Sequence, residues 1–426
     1  MKKFILLAFT AALSLGASAQ GQRSDITAGF YRVQNVGSSR FAYVNDRTGK
    51  LNYNDESADM GAVALYDVDA HDRFCDPASV CYITNYSNKH EVYGQNISLH
   101  GIIGHYVQFQ DAPDGNYYIT PLVTLKGIKT NIYLKDGLSS NAYTESYVQG
   151  RNNETLNAYH QWKLIPVDNQ EQYLGVKPAA NMKVVDKYYK PYVVGFDMKI
   201  SDGMKAYTVS EVKSDAVIIA PLTGVIPANT PVILECSSAD ASDNRVELQF
   251  NDAPATVTGN QLMGNYFCYG EHGETAYTRY NNKTMRVLAV VDGLLQFVTD
   301  TKHEHTTALS IWDDYSDGIY TYYCLNANES YLEVASGSAE KLPVMTAEEY
   351  AIWSQLGTDA SLAPDIYEDG SVNVADANLP NGIAAMILEK IPAKYRADIS
   401  KNGKVSIEDL CKFIQQLIDG KLPLAD

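Results

Sequence analysis

Two stretches near the C-terminus place oxygen-bearing side chains where one hard cation would need them. The first runs Asp365-Ile366-Tyr367-Glu368-Asp369-Gly370-Ser371-Val372-Asn373-Val374-Ala375-Asp376, and the second Asp398-Ile399-Ser400-Lys401-Asn402-Gly403-Lys404-Val405-Ser406-Ile407-Glu408-Asp409. Both have aspartate at loop position 1, oxygen-bearing side chains at 5, 9 and 12, and glycine at 6. Oxygen ligands at 1, 3, 5 and 12 with a backbone carbonyl at 7 wrap one calcium ion, and glycine permits the sharp bend. The candidate calcium ligands are therefore Asp365, Asp369, Ser371, Asn373 and Asp376 in one loop. In the other they are Asp398, Ser400, Asn402, Lys404 (through its carbonyl), Ser406 and Asp409.

The two loops are unequal. After Asp409 the apolar residues Leu410, Phe413, Ile414, Leu417 and Ile418 form one helical stripe, so the twelfth ligand opens a helix. After Asp376 the matching stripe (Ile383, Met386, Ile387, Ile391) waits behind Pro380 and Gly382, which interrupt a helix. Tyr367 also stands at position 3, where a carboxylate or amide oxygen belongs. The second loop is therefore expected to hold calcium better, with the weak affinity of extracellular sites, near ~10⁻⁴ M. The bland alternative is a helical pair whose glycine turns have lost their metal.

Other chemistry is sparse. His303-Glu304-His305 would align two imidazoles on one strand face, but zinc needs a third ligand that the spacing does not supply. A solvated strand end or loop is the reading adopted. There is no His-Glu-x-x-His, no Gly-x-Ser-x-Gly and no phosphate-cradling glycine loop. A carboxylate pair for glycoside hydrolysis is defined in space rather than in sequence, and 51 acidic residues offer no way to choose one. Tyrosine is the compositional signal, 31 residues against 3 tryptophans. A tyrosine ring fits a half-buried strand, or it stacks on a sugar ring while its hydroxyl bonds the sugar. In Tyr117-Tyr118 one ring must face outward, which makes this pair the candidate ligand platform.

Met1 to Ala19 reads as a secretory signal: Lys2-Lys3, the apolar stretch Phe4 to Leu15, then Ala17-Ser18-Ala19. Its removal takes the formal charge from −17 to −19, a balance opposed to a phosphate backbone, so nucleic acid is not an expected partner. No later stretch reaches the ~18 apolar residues of a membrane span. The chain is expected to be exported, to periplasm, medium or cell surface. Six cysteines are too few for a disulfide framework. Cys75 and Cys81 flank the turn Asp76-Pro77, where a bridge and two buried thiols are both open.

The body reads as strands. From residue 26 to 168, alternating aromatic strands recur at Ala28 to Val36, Val80 to Tyr86 and Asn116 to Pro121, three units of roughly 45 residues. The last closes on His160-Gln161-Trp162-Lys163-Leu164-Ile165-Pro166. This pattern resembles the ricin-type β-trefoils with their Gln-x-Trp strands, although Trp162 itself is read as a core plug. From 169 to 345 the strands are longer and continuously apolar, with hairpins at Lys213-Ser214-Asp215 and Asp292-Gly293, as in a sandwich core. The run from Lys205 to Glu235 also resembles an accessory β-module of surface and secreted bacterial proteins. Thr346-Ala347-Glu348-Glu349-Tyr350 opens a capped helical turn.

The doubled calcium loop resembles the dockerin type I module, which plugs secreted polysaccharide-degrading proteins into cohesin-bearing partners. That resemblance implies a small all-α C-terminal domain, and partner contacts at loop positions 10 and 11, here Val374-Ala375 and Ile407-Glu408. The expected plan is a mainly β chain with signal peptide 1–19, trefoil-like domain 24–168, sandwich 169–345, linker 346–362 and dockerin-like domain 363–426. The expected role is non-catalytic binding or assembly linked to polysaccharide utilisation, with a glycan ligand, a cohesin-like partner and calcium as cofactor. The alternatives are a glycoside hydrolase carrying such a tail, and a tail that is only a structural cap.

Overall fold

The structure is a computed structural model that describes residues 26–44, 57–66, 72–86, 89–94, 97–98, 106–121, 124–125, 128–129, 132–137, 145–152, 155–251, 255–271, 274–291, 293–313 and 318–356. Six antiparallel strands, Gly29–Asn35, Cys81–Tyr86, Lys89–Gly94, Tyr106–Asp111, Tyr117–Pro121 and Gln161–Pro166, pair in succession and close on themselves. Three long ladders alternate with three short seams around this ring. The ladders join Tyr31–Asn35 to Trp162–Pro166, Tyr82–Tyr86 to Lys89–Tyr93, and Val107–Asp111 to Tyr117–Pro121. The seams pair Phe30 with Tyr82, Glu91 with Tyr106, and Tyr118 with Gln161. This threefold alternation is trefoil-like. Phe41–Val44, Ser57–Tyr66, Glu145–Asn152 and Ile132–Asp136 extend the sheet from one side of the ring.

Period-two alternation builds its interior. Tyr31, Val33, Cys81, Ile83, Val92, Val107, Phe109, Ile119 and Trp162 turn inward into one buried cluster. The units differ from the sequence expectation in one respect. Val80 to Tyr86 does not open the second unit; the strand Cys81–Tyr86 returns to pair with Gly29–Asn35 and closes the first. The second unit, from Lys89 to Asp111, is correspondingly short.

Ten of the later strands form a second sheet that curls round a second core. Val209, Val217 and Ile233 from one half meet Leu288, Phe297, Leu332 and Leu342 from the other. A three-stranded sheet (Leu174–Gly175, Asp197–Ile200, Arg245–Gln249) packs on its reverse side. Val232–Cys236 is thus buried on both faces, Ile233 towards one core and Val232, Leu234 and Cys236 towards the other. That double burial is why Val232, Ile233, Leu234 and Cys236 are all apolar. Both expected hairpins form: Met285–Val291 pairs with Leu294–Val298 across Gly293 (φ 74°), and Lys205–Val212 with Val217–Leu222.

The ring and the curled sheet share a core. Phe30, Tyr82 and Val80 join Leu174, Phe196 and Met198 in one cluster, and Tyr82 stacks on Phe250 at 3.9 Å and 4°. Beside it cations and rings alternate. Arg73 lies between Phe41 (4.9 Å) and Phe74 (4.3 Å), Phe74 stacks on Tyr173 (4.8 Å), and Arg245 covers Tyr173 (4.6 Å). Arg32, wholly buried, donates to the carbonyls of Arg73 (2.9 Å) and Tyr173 (2.7 Å). Burial, with Arg73 close by, pulls its guanidinium down to about 10.

The helix Ala347–Leu356 starts on a reciprocal cap, as its sequence predicts. Thr346 N–H donates to Glu349 Oε2 (2.7 Å), and Glu349 N–H to Thr346 Oγ1 (3.2 Å). The expected signal segment, both expected calcium loops at 365–376 and 398–409, and the expected partner positions Val374, Ala375, Ile407 and Glu408 lie outside the described residues. Cys75 and Cys81 do not bridge. The Cys81 thiol sits in the ring core 3.6 Å from the Tyr31 carbonyl, and the Cys75 thiol faces the Asp72 carbonyl.

Candidate functional site

Ring geometry separates the tyrosine pair. Tyr117 lies opposite Trp162 and packs against the inner cluster, its ring edge-on to Phe109 at 5.9 Å. Tyr118, one residue on, turns outward and stays partly exposed. Its neighbours across the strands are Gln110 on one side and Gln161 on the other. Tyr133 packs against it in a T-shaped contact at 6.0 Å and 79°. Asn116 donates to the Pro113 carbonyl (2.9 Å) and reaches the Gln161 amide oxygen at 3.5 Å.

Around Tyr118 the outward face is thus an aromatic ring bracketed by amides. Beneath it Gln110 and Thr120, each 8% exposed, keep Oε1 and Oγ1 without a hydrogen-bond partner among the described residues. Such a face offers stacking and neutral hydrogen bonding, with Lys163 at the next outward position of its strand. Trp162 belongs to the opposite side. It is 1% exposed and its indole N–H donates to the Leu134 carbonyl at 3.0 Å, so it is a core plug as its sequence context implied.

The threefold arrangement offers an internal comparison. At the first seam the outward pair is Phe30 and Tyr82, and there Phe250 lies flat on Tyr82. At the third seam Tyr118 holds the register position of Phe30, and Gln161 that of Tyr82.

Polar side chains also gather at two other places. Glu235 accepts from Tyr207 (3.0 Å) and, at 3.5 Å, Tyr189, and it pairs with Lys205 at 3.0 Å. Burial and the nearby carboxylate raise both phenols above their ordinary range. Sequence reasoning missed this cluster because Glu235 sits inside an apolar run. Its carboxylate is fully engaged, which suits a structural role. His303 and His305 lie in the turn before Thr306–Asp313. Asp300 there accepts from Glu304 N–H, His305 N–H and the Thr306 hydroxyl, and His303 stacks on Tyr323 at 3.3 Å. Among the described residues no three His, Cys, Asp or Glu side chains gather as a metal site.

No family model matches the chain, and no curated protein does. Among solved structures it is similar to a designed 3-fold symmetric protein, ThreeFoil, at 14% identity over 33% of this chain and 99% of that one, with a TM-score of 0.23. It is also similar to the Rhizoctonia solani agglutinin, at 14% identity over 34% of this chain and 98% of that one, with a TM-score of 0.20. A mosquitocidal holotoxin matches at 11% identity over 72% of this chain and 46% of that one, with a TM-score of 0.26. The trefoil-like description rests on the strand pairing itself.

Proposed function

We propose that this chain is an exported, non-catalytic recognition protein that binds neutral carbohydrate on the outward face around Tyr118. The observation that carries the reading is a partly exposed ring, packed against Tyr133 and flanked by the amides of Asn116 and Gln161. A sugar is neutral and well hydrated, so an apolar ring face and fixed amides must supply the gain over water. The C-terminal loops, resembling dockerin repeats, would tether the protein to a cohesin-like partner through calcium, in a polysaccharide-utilisation setting.

A broad array of neutral glycans, probed with the full mature chain, tests the first part. Binding is expected, and it should change little between low and high salt because no charge attraction is used. It should also survive deletion of everything after Leu362. A folded chain that binds no glycan on the array would overturn the reading.

A further inference from the structure

The strands Thr306–Asp313 and Gly318–Leu325 form a two-stranded ribbon in a sheet of its own. The second strand, Gly-Ile-Tyr-Thr-Tyr-Tyr-Cys-Leu, carries no charge in a chain of net −17. Ile319, Tyr320 and Tyr323 on it are 70%, 43% and 39% exposed. Its outer edge is only partly covered. Tyr280 N–H donates to the Tyr323 carbonyl and Leu325 N–H to the Thr278 carbonyl, both at 2.9 Å. Backbone groups alternate sides along an antiparallel strand. Thr321 and Ile319 therefore turn their N–H and C=O the same way as Tyr323 and Leu325. Those four groups have no partner among the described residues.

An open edge of this kind is complementary to one thing, another extended backbone. Within Gly318–Leu325 no proline, bulge or charge guards it. We propose that two copies of this chain pair antiparallel along this edge, Ile319 of each opposite Thr321 of the other. The register is self-complementary. Ile319 and Thr321 exchange both backbone bonds reciprocally, which satisfies all four open groups in each copy, and Tyr320 falls opposite its own equivalent. A second copy is the favoured occupant because the edge is its own complement about that twofold axis. The uncharged strand is also where two like-charged chains approach with least repulsion.

Sedimentation velocity on the full chain across a dilution series reads the association. A dimer that dissociates on dilution and strengthens with added salt is expected, since salt screens the repulsion between two acidic copies. Thr321→Pro removes an outward N–H without touching the ladder to Ser310, and should weaken the dimer about tenfold or more. Ile319→Lys, which guards the edge by charge, should do the same if proline perturbs the ribbon. Tyr320→Cys should give a disulfide-linked dimer on mild oxidation, because opposed residues at a non-hydrogen-bonded position have the needed spacing. Ala308→Cys, on the other strand, should not. A chain that stays monomeric at every concentration and salt would overturn the proposal. So would a dimer indifferent to both Thr321→Pro and Ile319→Lys, which would place the contact elsewhere.

Discussion

Tyr117 and Tyr118 show what one residue of register does. A strand's period of two sends Tyr117 towards Trp162 and Phe109 and turns Tyr118 to the opposite face, where it is partly exposed. Substitutions at the three aromatics should therefore separate stability from binding. Trp162→Ala empties the ring centre and frees the Leu134 carbonyl, so it should cost about 3–5 kcal/mol in denaturant unfolding. At the tip of the hairpin between Lys183–Val184 and Lys187–Tyr192, Val185 is 80% exposed at φ 54°. A β-branched side chain strains that left-handed backbone, which asparagine tolerates. Val185→Asn should raise the unfolding midpoint, by about 1 kcal/mol, at unchanged denaturant slope. That one tyrosine of the pair faces out was legible in the sequence; which one was not, because it depends on the partner strand Gln161–Pro166. Glu235 was illegible for the same reason, since its phenol donors come from two other strands.

At the scale of elements, the features read correctly were local ones. The Gly293 hairpin and the Thr346–Glu349 cap are written within a few residues of themselves. The misread unit at Val80 to Tyr86 is the opposite case. Alternation identifies a strand but not its neighbour, and here the neighbour is Gly29–Asn35, about fifty residues earlier. The expected calcium loops are also local patterns, and the expectation they carry is directly testable. In calcium titrations of the full chain Asp398→Ala should abolish the tighter site while Asp365→Ala changes little, and equal losses would refute the asymmetry. The unlike pairs at loop positions 10 and 11 should favour one docking orientation. Replacing Ile407 and Glu408 should then alter cohesin binding very differently from replacing Val374 and Ala375, measured by calorimetry.

Over the whole molecule, the shared core of Phe30, Tyr82, Phe196 and Phe250 joins the ring to the curled sheet. Composition and patterning gave the β class and the two kinds of strand but contained no sign of this junction, whose members are scattered over more than two hundred residues. Its buried thiols make a test of solution behaviour. Burial pushes Cys81, Cys236 and Cys324 from the ordinary 9.0 up to about 12. Between those values the unfolded chain has lost protons that the folded chain keeps. The stability these thiols contribute is complete below pH ~9 and is lost as pH rises towards ~12. Melting temperature should fall across that window, and more gently in Cys236→Ala than in the parent.

Sugar binding at the outward ring of the third seam is the proposal on which the rest depends. Calorimetric titration of the best neutral glycan into the full chain, Tyr118→Ala and Tyr117→Ala tests it most directly. Tyr118→Ala should bind about tenfold more weakly or worse with an unchanged melting temperature. Tyr117→Ala should lower the melting temperature and leave the affinity of the folded fraction intact. Parent affinity retained in Tyr118→Ala would contradict the claim.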